Sequence, residues 1–173
     1  MDLQTIQSKI RDIPDFPKPG ITFKDITPLL QDPLAFHVSI EKLAAALEPY
    51  AVDAIVGIES RGFIFGPAVA FRMKKGFIPL RKKGKLPFKT EQVSYALEYG
   101  EATLEIHSDG VVQGQRVAII DDVLATGGTA FAACQLVERV GGHVVAFAFL
   151  GELGFLEGRS KISSYPAFSL LQF

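Results

Sequence analysis

The sequence predicts an α/β domain built on a parallel sheet with helices on both faces. Short apolar runs closed by polar residues alternate with amphipathic stretches, and Gly or Pro marks the junctions. The 173 residues suit one domain around one core. With 48% hydrophobic and 21% charged residues and a mean hydropathy of +0.24, the chain has enough apolar surface to offset its conformational entropy, which excludes disorder. A formal net charge of -1 supplies no global field for a polyanion. Nucleic acid is therefore not an expected partner, and any anion site must be local.

The dense Pro and Gly of PDFPKPGITF (14–23) predict an ordered N-terminal arm. Asp32 is an N-cap ahead of Pro33, and Phe36, Ile40, Leu43, Ala44 and Leu47 recur at helical spacing, so an amphipathic helix is expected to end before Pro49. AVDAIVGI (51–58) reads as a strand covered on both faces, followed by a turn at 59–62. The rhythm continues as a helix through FGPAVAFRMKK, a strand GFIPLR, a strand RVAII (116–120), a helix through TAFAACQLVERV and a strand HVVAFAFL. Between Gly84 and His107 it breaks. Alternation of Tyr95, Leu97, Leu104 and Ile106 around Gly100 predicts a hairpin that projects from the sheet and serves as a lid.

Chemistry concentrates in VAIIDDVLATGGTAF (117–131), where a buried strand ends in Asp121 and Asp122 and runs into a loop of small residues opening a helix. Ala125, Thr126, Gly127, Gly128 and Thr129 let a ligand reach backbone N–H groups; the two glycines can take positive φ, and the helix points its positive end at the loop. A phosphate monoester fits this description, although an ordinary strand-to-helix turn uses similar residues. The acid pair favours the ligand, because adjacent carboxylates on opposite faces of a strand end need partners. One can accept hydrogen bonds from the vicinal hydroxyls of a ribose whose 5-phosphate lies in the loop; the other steers loop groups or metal-bound water. Neither GxGxxG nor GxxxxGK(S/T) occurs, so a dinucleotide or P-loop site is not expected.

Eight basic and no acidic residues lie between Arg72 and Lys89. They form either a solvated face or a local field for a polyphosphate. Arg81, Lys82 and Lys85 favour the second reading, since they follow a strand on the edge that also presents Ser60, Arg61 and the acid pair. His37, His107 and His143 are scattered and Cys134 is alone in an apolar helix, which supports neither a zinc site nor a nucleophilic triad. One cysteine allows no internal disulfide, and the start MDLQTIQSKI lacks the pattern of a secretion signal, so a cytoplasmic protein is expected. The longest apolar stretch, Val144 to Leu150, is far short of the ~20 residues that span a bilayer, so no membrane segment is expected.

DDVLATGGT resembles the phosphoribosyl pyrophosphate (PRPP) motif of the type I phosphoribosyltransferases. DFPKPGITFKDITPLL (15–30), GIESRGFIFGP (57–67), RKKGKLP (81–87), YALEYG (95–100) and the ending FSLLQF resemble, in the same order, the adenine phosphoribosyltransferase family along essentially the whole chain. Glu59 departs from the Asp that many members carry there. The resemblance implies the type I phosphoribosyltransferase fold over 1–173, a small hood over roughly 1–32 and a flexible β-hairpin lid over roughly 84–107. It implies phosphoribosyl transfer from PRPP to adenine, giving AMP and pyrophosphate, in a homodimer, with Mg2+ arriving on PRPP and no protein-only metal site.

The same resemblance makes Ser60 and Arg61 the pyrophosphate loop, with a strained or cis peptide at Glu59–Ser60 in keeping. Arg81, Lys82 and Lys85 then contact PRPP, across a dimer interface. Glu98 would close over the purine beside N7, with Tyr99 shutting the lid; without the resemblance, Glu98 reads as an exposed hairpin carboxylate. Backbone groups of Thr22, Phe23 and Lys24 would read adenine, with Phe23 either a stacking surface or ordinary core. Two other readings stay open: the same transfer to another purine base, and a PRPP-binding regulator without catalysis.

Overall fold

The structure is a computed structural model that describes residues 1–96 and 101–173. Its chain order is α1 (Leu3–Gln7), β1 (Arg11–Ile13), β2 (Phe23–Asp25), α2 (Thr27–Gln31), α3 (Pro33–Leu47), β3 (Ala54–Ile58), α4 (Gly62–Met73), β4 (Gly76–Lys82), β5 (Thr90–Ala96), β6 (Glu101–His107), β7 (Arg116–Leu124), α5 (Gly128–Arg139), β8 (His143–Glu152) and β9 (Ala167–Gln172). A seven-stranded sheet runs β5-β6-β4-β3-β7-β8-β9. Strands β4, β3, β7, β8 and β9 are mutually parallel, whereas β6 pairs antiparallel with both β4 and β5.

Period-two alternation divides the sheet between two cores. On one face Val56, Ile58, Leu80, Val117, Ile119 and Phe147 pack with Leu104 and Ile106 of the hairpin and Leu136 and Val137 of α5. On the other, Ile55, Ala118, Ile120 and Leu150 meet Leu43 and Leu47 of α3 and Phe65 and Val69 of α4. The expected N-cap of α3 is present: the Asp32 carboxylate accepts from the Leu34 and Ala35 amides at 3.1 and 3.0 Å.

Several elements differ from the sequence expectation. The hairpin does not stand clear of the sheet; its β6 strand continues the sheet through Arg81↔Glu105 and Lys82↔Leu104, because Leu104 and Ile106 belong to the core. β7 runs on to Leu124, so the acid pair lies inside the strand; the long β8 supplies partners as far as Leu124↔Glu152. β3 begins only at Ala54, after Ala51 takes the left-handed conformation at φ 48°. α4 starts three residues early, at Gly62. The N-terminal arm is a two-stranded ribbon held by the cross-strand ion pairs Arg11–Asp25 (2.6 Å) and Lys24–Asp12 (2.7 Å). FSLLQF forms the edge strand β9, parallel to β8.

From β3 the chain moves through α4 on one face to β4; from β7 it moves through α5 on the other face to β8. Winding therefore reverses between β3 and β7, and a crevice opens beyond their carboxyl ends. Helix α4 lies close to the sheet because Gly57 and Gly66 leave room for the Phe77 ring: a methyl at either position would stand 2.6 or 2.7 Å from it. Gly66→Ala should cost about 1–3 kcal/mol in urea unfolding through overpacking. Adding Phe77→Leu should recover part of that loss, whereas simple addition of the two losses would show that the ring is not what the methyl meets.

Candidate functional site

The turn after β3 is bound to the strand beside it. The Glu59–Ser60 peptide is cis. The Glu59 amide donates to the Leu80 carbonyl at 2.9 Å, and its carboxylate receives Arg81 Nε (3.2 Å), Arg81 Nη2 (3.1 Å) and the Lys82 amide (2.9 Å). Arg81 Nη1 donates onward to the Lys85 carbonyl at 3.1 Å. The Arg81 guanidinium holds the Glu59 carboxyl below its ordinary value, with help from the Lys82 amide. Arg81 thus spends its donors on fixing two loops against each other.

Gly62 brings α4 against β7, since a Cβ there would lie 2.9 Å from the Ile120 carbonyl and 3.0 Å from Asp121 Oδ1. Asp121 Oδ1 in turn accepts from the Asp122 amide at 2.9 Å. Asp122 is buried, with Arg61 Nε 2.9 Å from its Oδ2, an approach that places charge nearby without a directed hydrogen bond. Burial pushes both carboxyls up; the adjacent Asp122 charge adds to the rise at Asp121, and Arg61 opposes it at Asp122. A strand holding two such groups has a standing demand for donors.

Beyond Leu124 the chain turns through Gly127, at φ 78°, into α5, whose first turn has no side-chain cap. A small cavity of about 70 Å³ is lined by Leu124, Ala125, Thr126, Gly127 and Thr129. Uncapped N–H groups, a positive helix end and this small volume together suit a tetrahedral oxyanion. Gly128 plays a different part from its neighbour: it starts the helix with ordinary φ, packed beside Ala96 and Tyr95. Thr129 Oγ1 donates to the Tyr95 hydroxyl at 3.2 Å, tying β5 to this loop.

An open cleft of about 620 Å³ joins these loops, lined by Ser60, Arg61, Lys82, Lys83, Tyr95, Asp121, Asp122 and Thr129 among others. Thr22, Phe23 and Lys24 border an adjoining cavity of about 190 Å³ with Arg61, Val123, Ala125 and Leu153. Arg61 belongs to both, its guanidinium 4.8 Å from the centre of the Phe23 ring. Lys24 Nζ is engaged by Asp12 and by the Phe173 ring, which leaves the arm's backbone and the Phe23 face toward the cavity. Arg81 and Lys85 do not line the cleft. Glu98 and Tyr99 lie outside the described residues.

Lys83, Val123 and Leu153 were missed by sequence reading. Lys83 is one of several like residues in the basic run, Val123 continues the acid strand, and Leu153 carries no local signal. Among the described residues no three His, Cys, Asp or Glu side chains are grouped to hold a metal ion. No helix among them is long and apolar enough to cross a membrane. A cavity of about 440 Å³ at the amino edge of β3, between Asp53 and Lys74, lies away from this cleft and has neither the acid pair nor the uncapped loop.

The family model for a phosphoribosyl transferase domain matches residues 29–163. Adenine phosphoribosyltransferase of Thermoanaerobacter sp. (strain X514) is 55% identical over 173 residues, covering 100% of both chains, and that of Roseiflexus sp. (strain RS-1) is 59% identical over 164 residues, 95% of each. The crystal structure of adenine phosphoribosyltransferase from Thermoanaerobacter pseudethanolicus superposes with a TM-score of 0.97 at 55% identity, covering 99% of this chain and 100% of the other. The Saccharomyces cerevisiae enzyme, complexed with an imino-altritol bisphosphate and adenine, gives 0.92 at 40% identity and 98% coverage of each chain.

The Glu59–Arg81 pair predicts a signed pH effect. A depressed carboxyl pKa gives stability that is in full above the ordinary value of 4.5 and is lost as pH falls through the lower folded value. Carboxyl NMR titration should find Glu59 below 4.5 and Arg81→Gln should move it back up. No movement would assign the depression to the Lys82 amide.

Proposed function

The chain belongs to the phosphoribosyltransferase family, within its adenine phosphoribosyltransferases, and from this we infer that it transfers the 5-phosphoribosyl group of PRPP to N9 of adenine, giving AMP and pyrophosphate. One observation carries the reading: an acid pair with Asp122 buried and an uncapped, glycine-turned helix start stand together at the point where the sheet's winding reverses. Ribose 5-phosphate requires that combination, with anion-binding amides for one end and carboxylate acceptors for its vicinal hydroxyls. The Trypanosoma brucei relative, solved with AMP, pyrophosphate and ribose 5-phosphate, supports the same ligand set here.

Ala125 to Thr129 hold the 5-phosphate, and Asp121 and Asp122 accept from the ribose. Ser60, Arg61 and Lys82 face the pyrophosphate, with Lys83 added by its place on the cleft; Lys85, which does not line this cleft, reaches PRPP across the dimer interface, and Arg81 acts by way of Glu59, keeping the turn and the basic loop in register. Adenine occupies the cavity beside Phe23, read by the backbone of Thr22 to Lys24. N9 attacks C1′ as the C1′–O bond to pyrophosphate breaks, with inversion and with positive charge growing on the ribose ring. The cationic edge stabilises the departing anion, and fixing the far phosphate sets the line of attack. Magnesium bound to PRPP supplies further neutralisation of the pyrophosphate. Glu98 exchanges a proton at the purine, with Tyr99 helping to close the lid against water. The protein works as a cytoplasmic homodimer, as its membership of the family implies.

Incubation with adenine, PRPP and Mg2+ should yield AMP and pyrophosphate. Product from hypoxanthine or guanine but not adenine would reassign the base, and PRPP binding without any product would make the chain a sensor. Glu98→Ala should lower kcat by about 10²- to 10⁴-fold while PRPP affinity changes little. Asp122→Asn should chiefly raise the KM for PRPP; a selective loss of adenine binding instead would contradict its ribose role.

A further inference from the structure

Two short 3-10 helices, Gly154–Leu156 and Gly158–Ile162, connect β8 to β9 and pass beneath the loop between β7 and α5. At Gly158 the two backbones touch. A methyl on Gly158 would overlap the Ala125 carbonyl and stand 2.8 Å from the Gly127 nitrogen, and a methyl on Gly127 would overlap the Gly158 carbonyl. Gly127 therefore has a second reason to be glycine besides its positive φ. Gly154, four residues earlier in the same connection, meets nothing closer than 3.9 Å.

What holds Gly158 in place is the residue after it. Arg159 Nε donates to Glu152 Oε1 at 3.1 Å and Nη2 to Oε2 at 2.5 Å; Nη1 reaches the Ala167 carbonyl at 2.6 Å and Nη2 also reaches Ser169 Oγ at 3.1 Å. Glu152 is buried at the end of β8, where it pairs in register with Leu124, the last residue of β7 before the loop. The guanidinium holds the Glu152 carboxyl below its ordinary value, so this clamp stays charged as pH falls into the usual carboxylate range. One side chain thus fastens β8, β9 and the connection in a fixed relation to the start of the phosphate loop.

We propose that Gly158 and Arg159 are positioning residues for PRPP: they form a backbone floor that sets the shape of the Ala125–Thr129 loop, although neither touches the ligand. The inference rests on the loop's role as phosphate site. A floor in direct van der Waals contact with the loop decides where its amides point, and small displacements of such groups are strongly felt.

The test compares Gly158→Ala, Gly154→Ala, Arg159→Gln and Arg159→Lys for ribose 5-phosphate affinity by calorimetry and for the KM values of PRPP and adenine, with thermal melts as a check on folding. Gly158→Ala should weaken ribose 5-phosphate by about tenfold or more and raise the KM for PRPP more than that for adenine. Gly154→Ala should match the parent protein. Arg159→Gln should move in the same direction as Gly158→Ala, with Arg159→Lys partly restoring affinity. A folded Gly158→Ala with parental affinity would overturn the proposal. If that variant does not fold, a folded Arg159→Gln with parental affinity overturns it equally. Absence of ribose 5-phosphate binding in the parent protein would instead overturn the phosphate-loop reading beneath it.

Discussion

Two carboxylates that sit side by side on a largely covered strand make the structure around them necessary. Removing such groups from water is unfavourable unless donors replace it. Here Asp121 receives a backbone amide, Asp122 has Arg61 beside it, and both residues line an open cleft. Gly62 is small so that α4 can bring Arg61 to that place. Arg61 is steadied by Phe23 from the N-terminal ribbon, and the turn carrying it is fixed by Glu59 through Arg81. Each of these features answers the same electrostatic demand from a different part of the chain.

The fold supplies the meeting point. Because α4 and α5 lie on opposite faces, the segments leaving β3 and β7 diverge, and only at their divergence can a ligand contact both without displacing a helix. Cationic groups arrive from the β3 and β4 side, acceptors and amides from the β7 side. A ligand placed there would lie between unlike charges without a strongly charged protein.

Much of this was legible in the sequence because it is written in local pattern. Apolar runs of strand length separated by amphipathic helices gave the parallel core, and Asp32 before Pro33 marked the start of α3. Acid pair, small residues and helix start occur consecutively, so the candidate oxyanion site could be read as one motif. What escaped depends on distant contacts. The ribbon strands are three residues each and are held by cross-strand charges, not by periodicity. The length of β7 depends on its neighbour β8. Arg81 and Lys83 look alike in a basic run; only the position of Glu59 turns one inward and leaves the other on the cleft. Gly158 has no motif of its own, and its meaning comes from a loop thirty residues earlier.

Arg61 also carries a consequence for how ligands are felt across the site. It borders both the cavity beside Phe23 and the larger cleft, so whatever enters one compartment alters a wall of the other. Equilibrium thermodynamics makes such crosstalk reciprocal: if a flat ring against Phe23 changes the hold on an anion next door by some factor, the anion changes the hold on the ring by that same factor. Cooperativity between two chemically unlike guests needs no moving domain here, only one shared guanidinium.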